Sequence, residues 1–216
     1  MLEAMKIIRW AELDPDQRQA LLQRPVFDNA GLHSSAAEII NRVRTGGDQA
    51  LLELTSELDG CRPDAVEVRP AEIQAASDRV SDDLVAALED AAYRIRLFHE
   101  ADKPEASRVE TAPGLVCEVR YQPLSPVGLY IPGGSAPLVS TVMMLAIPAA
   151  LAGSRDIVMC SPPGQDGSIA DEILAAAEYC GVTRVYQFGG AQAVAAMAYG
   201  TETVPRCAKI FGPGNS

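Results

Sequence analysis

A chain of 216 residues is long enough for one large domain or two small ones with a sizeable core, and 48% hydrophobic with 22% charged residues is globular composition. Its formal net charge of −11 argues against nucleic acid and anionic membrane as partners, because both repel an acidic surface. Five scattered cysteines without a CxxC pair, and only two histidines, predict reduced core thiols, a cytoplasmic location and no metal site built from this chain alone.

The start, "MLEAMKIIRW", carries an acid and no long apolar run, and does not read as a signal peptide. Residues 1–118 hold 13 Lys+Arg and 23 Asp+Glu, against 5 and 6 in residues 119–216. The first region therefore reads as mostly helical, with solvated faces, and the second as a part buried on several sides. "HSSAAEIINRVRTGG" predicts a helix with Ser35 and Glu38 as its capping box, ended by Gly46 and Gly47. Asp48 is then placed to cap the helix "QALLELTSEL". A third helix runs through "SDDLVAALEDAAYRIRLFHEAD", where Leu84, Leu88, Ala91, Ile95 and Phe98 form one apolar stripe. His99 beside it is expected at a surface or boundary rather than in chemistry.

Beyond 118, short apolar runs alternate with helical patterns. The expected strands are "VGLYIPG", "DIVMCSP", "RVYQFGG" and "AKIFGPG", with helices over about 138–152, 169–180 and 191–200. This rhythm predicts an α/β fold with a Rossmann-like parallel sheet covered on both faces, following the mostly helical region. The most apolar stretch, residues 136–153, contains Pro148 and hydroxyls between close-set strands, and reads as a buried helix rather than a membrane span.

Each strand ends in a Gly- or Pro-rich turn: "IPGGSAP", "SPPGQDG", "FGGAQA" and "FGPGNS". In an open parallel sheet these turns line up at the carboxyl ends of the strands, the edge where ligands bind. None is GxGxxG, and no acid for a ribose stands about 20 residues onward. Spacing alone leaves two readings open, a nucleotide site or tight strand–helix packing.

The longer motifs are more specific. "GLYIPGGSAPLVSTVMMLAIPAALAG", "GGAQAVAAMAYGTETVP" and "KIFGPGNS" resemble the histidinol dehydrogenase family, as does the upstream "TGGDQALLELTSELDG", with Leu58 where an aromatic is common. The resemblance covers essentially the whole chain. It implies a pair of incomplete Rossmann-like domains with helical appendages, an architecture related to the aldehyde dehydrogenases, and a length roughly twice this one. On that basis the sequence reads as an amino-terminal half, with 1–118 a helical region and 119–216 an incomplete NAD-binding domain.

By resemblance, the function expected is oxidation of L-histidinol through L-histidinal to L-histidine, with two NAD reduced in turn, by a zinc-binding homodimer. Tyr130, Gln192 and Asn215 match the family's NAD-contacting positions. The zinc ligands and the Glu–His pair that moves protons match nothing here and are expected in a carboxyl-terminal half, so no catalytic or metal residue is assigned to this chain. The alternative is a non-catalytic nucleotide-binding fragment. Cys117 and Cys160 have no neighbouring base in sequence and are not assigned a thiohemiacetal role.

Overall fold

The computed structural model describes residues 7–23, 30–133 and 136–214, which fall into two compact units divided after Ser35. The first contains a single 3-10 turn, Trp10–Glu12, and helix α1, Pro15–Leu22. Asp14 and Gln17 form a reciprocal capping box at the start of α1 (Gln17 N–H to Asp14 Oδ1, 2.8 Å). The Arg18 guanidinium lies 5.5 Å from the centre of the Trp10 ring.

Helix α2, Ala30–Leu58, begins earlier than the sequence pattern predicts. Ser35 is inside it, and its hydroxyl donates to the Gly31 carbonyl at 3.1 Å, so Ser35 is no cap. The glycine pair breaks the helix without ending it. Gly47 takes φ 53° and ψ −138°, a kink that a side chain resists, and the chain resumes helically. Asp48 does not cap the resumed helix. Its N–H donates instead to the Glu202 carboxylate at 2.8 Å, so the cap comes from a residue 154 positions away.

Helices α3, Pro70–Arg79, and α4, Asp82–Ala101, follow, the second capped by the Ser81 hydroxyl. Of the predicted stripe on α4, Leu84, Leu88, Ala91 and Ile95 pack into the core, but Phe98 is 67% exposed. An antiparallel hairpin, β1 (Ser107–Ala112) with β2 (Leu115–Val119), then stands out of the body with every residue exposed. The sequence reading placed no strands there.

The sheet consists of β3 (Val127–Tyr130), β4 (Ile157–Cys160), β5 (Arg184–Tyr186) and β6 (Lys209–Phe211). All pairs are parallel, in the order β5-β4-β3-β6. Between successive strands run α5 (Val139–Leu151), α6 (Asp171–Tyr179) and α7 (Gly190–Tyr199), so four strands and three crossover helices are as the sequence predicts. Alternate side chains serve two cores. Val127, Leu129, Ile157, Met159 and Val185 face α3, α4, α5 and α6. Val158, Cys160 and Tyr186 face α7 and the resumed half of α2, where Leu51 and Leu54 are buried. Helix α5 is thus a buried helix, and no described helix is long and apolar enough to cross a membrane.

Two contacts fasten the first helices to the sheet layer. Arg79 on α3 grips Asp171 on α6 with two hydrogen bonds, 2.7 and 2.5 Å, which hold the Asp171 carboxyl below its usual range. Residues 65–68 run along the outer edge of β5. There Val68 N–H donates to the Val185 carbonyl, Gln187 N–H to the Val66 carbonyl, and the Gln187 side chain to the Ala65 carbonyl, at 2.8–2.9 Å.

Candidate functional site at the carboxyl edge of the sheet

The turns after the four parallel strands gather along one edge, as parallel topology requires. Their small residues let them touch. A Cβ on Gly133 would stand 2.7 Å from the ring of Pro162, and one on Gly189 would stand 2.6 Å from it. Pro162, from "SPPG", is therefore a wedge between the turns following β3 and β5. The tight-packing reading of the glycines is correct at these positions. It leaves the ligand question to the side chains.

Tyr130 is the last residue of β3 and is half-buried. Helix α7 begins after Gly189 with no side-chain cap. The Gly190 N–H donates to the Tyr130 hydroxyl oxygen at 3.1 Å, so a phenol from another strand satisfies one of the free N–H groups of α7. With its oxygen accepting there, the phenol proton remains available for an acceptor outside the protein.

Gln192 lies in the first turn of α7 and is 1% exposed. Its Oε1 has no hydrogen-bond partner among the described residues. Gly190, with φ 60°, lies so close that a Cβ there would come within 2.6 Å of that oxygen. Buried side-chain acceptors are nearly always satisfied, because an unmade bond costs about 1–3 kcal/mol. The structure thus brings Tyr130 and Gln192 together around Gly190: one free donor and one free acceptor at the start of a helix. Asn215 lies outside the described residues.

A cavity of about 320 Å³ opens between the turns after β3 and β4, lined by Pro132, Gly133, Ser161, Pro162 and the start of α6. Neither Tyr130 nor Gln192 lines it. Asp166 at its rim accepts from the Ser168 N–H and hydroxyl, which holds its carboxyl below the usual range.

The remaining candidates from the sequence are not at this edge. His99 lines a separate cleft with Tyr121 and Pro148, near the end of α5 that leads back to the opposite edge of the sheet. Cys117 is on the exposed hairpin. Cys160 is fully buried in β4, and burial pushes its thiol far up, so it stays protonated. Among the described residues no group of three or more His, Cys, Asp or Glu is placed to hold a metal ion.

Fold and site together define an α/β protein of the Rossmann-like class, with a parallel sheet and donor–acceptor groups at its carboxyl edge. The histidinol dehydrogenase family model matches residues 22–216, and the chain belongs to that family. It is 51% identical over 213 residues to the histidinol dehydrogenase of Photobacterium profundum, covering 98% of this chain and 47% of the relative. The Vibrio parahaemolyticus enzyme gives 51% identity, 98% and 48%. The crystal structure of histidinol dehydrogenase from Elizabethkingia anophelis superposes with a TM-score of 0.88 at 40% identity, covering 94% of this chain and 47% of that one. The chain spans about half the length of the curated relatives it matches.

Proposed function

We propose that this chain supplies the cofactor-side half of an NAD-dependent enzyme that oxidises L-histidinol through L-histidinal to L-histidine, in the cytoplasm and as a homodimer. The observation that carries the reading is the orphaned Gln192 carbonyl. A buried acceptor with no partner among the described residues, beside a helix start, supports a ligand that brings a donor and that the side chain turns out to meet. A nucleotide cofactor has such donors in its ribose hydroxyls and its amide.

In this reading residues 119–216 form the incomplete NAD-binding domain. Tyr130 donates its phenol proton to an acceptor on the cofactor while its oxygen stays bound to Gly190 N–H. Gln192 Oε1 would accept a hydrogen bond from a ribose hydroxyl or the amide. Neither side chain adds charge, so neither opposes the positive nicotinamide ring. Bound NAD would supply the hydride acceptor. Asn215, outside the described residues, is assigned to the same cofactor by family resemblance. Proton abstraction and zinc ligation are assigned, by family resemblance, to residues outside this chain.

The test is product stoichiometry in the full-length protein. L-Histidinol, NAD and zinc should yield L-histidine with two NADH per histidinol, read by absorbance and amino-acid analysis. Retention of NAD binding with no NADH formed would favour the non-catalytic nucleotide-binding reading instead.

A further inference from the structure

Helix α7 presents Gln192 at its first turn and is anchored at its far end by an arrangement the cofactor reading does not use. After Gly200 the chain makes a small turn, with Thr201 N–H donating to the Val204 carbonyl at 2.9 Å and Val204 N–H to Thr201 Oγ1 at 3.0 Å. The Asp48 carboxylate accepts from both hydroxyls of this turn, Thr201 Oγ1 at 2.5 Å and Thr203 Oγ1. In return, the Glu202 carboxylate accepts the Asp48 N–H at 2.8 Å and occupies the space that a Cβ on Gly47 would take. Buried Tyr186 donates to the Thr203 carbonyl at 3.0 Å, tying the same turn to β5. Each carboxylate therefore caps the other's segment. The kink at Gly47 is what brings the Asp48 N–H to Glu202.

We propose that Asp48, Glu202 and Thr203 form a positioning clasp for Gln192. Helix α7 has ten residues, about 15 Å, and no side-chain cap at its start. Its buried residues are three alanines with Gln192 and Met197, and Met197 lies so close to Gly128 of β3 that a Cβ there would stand 2.5 Å from its sulfur. The alanines key little into their neighbours, so beyond Met197 the axial register depends on the two ends. One end is the bond from Gly190 to Tyr130. The other is the clasp, beside the Cys207 N–H that donates to the Met197 carbonyl at 2.7 Å. Releasing it lets α7 shift or fray, and the Gln192 carbonyl leaves its place beside Gly190 and Tyr130.

This rests on the reading of Gln192 as a cofactor contact, and the experiment separates the two. In the full-length protein, Thr203→Val removes one clasp hydroxyl at nearly constant shape, and Thr203→Ser keeps it. Asp48→Ala removes the carboxylate, and Glu57→Gln, which only loosens the Arg42–Glu57 ion pair on the same helix, is the control. The expected result is a rise in KM for NAD of about fivefold in Thr203→Val and more in Asp48→Ala, the loss of roughly one hydrogen bond. The kcat should stay within about twofold, a split that a mere loss of folded protein does not produce. Amide hydrogen exchange across 190–199 should quicken in the same variants. Thr203→Ser should restore both readouts, and Glu57→Gln should move neither. An unchanged KM for NAD in correctly folded Thr203→Val, with Gln192→Ala raising it, overturns the clasp alone. If Gln192→Ala leaves that KM unchanged, the cofactor role of Gln192 falls and the proposal falls with it.

Discussion

Replacing Gln192 by methionine separates a group kept for a ligand from one kept for the fold. Methionine is unbranched and close to glutamine in volume, so it fills the same space without the carbonyl. Among the described residues the buried Oε1 has no partner, and an unsatisfied acceptor costs about 1–3 kcal/mol. Removing it recovers that cost, less a repacking penalty of under about 1.5 kcal/mol for a near-isosteric swap. The balance is a gain of about 1 kcal/mol, which for a cooperative unit of this chain's size raises the thermal midpoint by about 2–4 °C. Binding moves the other way. One hydrogen bond to the cofactor is lost, worth about 0.5–1.5 kcal/mol, or about twofold to tenfold in the KM for NAD. Thermal unfolding of the unliganded protein and NADH absorbance in steady state measure the two effects. A lower midpoint with an unchanged KM would make Gln192 an ordinary core residue and refute the reasoning.

Gly212→Ala should destabilise by about 1–3 kcal/mol and raise the KM for NAD: the new Cβ would stand 2.7 Å from Tyr130 Cβ and against its carbonyl oxygen, and the urea midpoint reports it. Alkaline stability follows from buried protonated groups. Burial raises Cys180 and Cys207 to about 11 and Tyr186 to about 12. The neutral forms are favoured in the fold, so their contribution is complete below the ordinary thiol value of 9.0 and declines as pH rises towards about 11 and then 12. Unfolding midpoints taken across that window should fall, and a flat profile would contradict the burial of these groups. The 216-residue chain by itself, given histidinol, NAD and zinc, should form no NADH on the reading that the acid–base groups lie outside it, because their loss alone costs about 10²–10⁴-fold; turnover free of host enzyme would place the catalytic residues within it.

The sheet was readable because each of its strands is a compact apolar run closed by glycine or proline, a pattern that buried parallel strands impose directly. Tyr130 and Gln192 were readable as residues of one edge, Tyr130 at the end of β3 and Gln192 just past the end of β5, but their meeting around Gly190 was not. Ser35 misled because a hydroxyl followed by Glu38 looks like a cap wherever it stands, while the helix already ran through Gly31. The hairpin had a signal that went unused: Val109 and Thr111 alternate with charged neighbours, Pro113–Gly114 marks a turn, and Leu115, Cys117 and Val119 resume the alternation. The clasp had none. Asp48 and Glu202 are 154 positions apart in sequence, and only the kink at Gly47 makes them partners. The orphaned state of Gln192 is equally invisible in sequence, because it is a property of what does not surround the side chain.

The strip 65–68 along β5 gives the sheet a handed boundary. On that side the strand's outward N–H and C=O groups are already engaged by the chain itself. On the other side, among the described residues, nothing pairs with the far edge of β6. A sheet sealed on one margin and open on the other accepts new strands in a single direction. Any extension, whether from more of the same polypeptide or from a stray β-segment at high concentration, begins at Lys209–Phe211. That margin also adjoins Gly212 and Tyr130, so whatever docks there comes to lie next to the phenol that holds the start of α7.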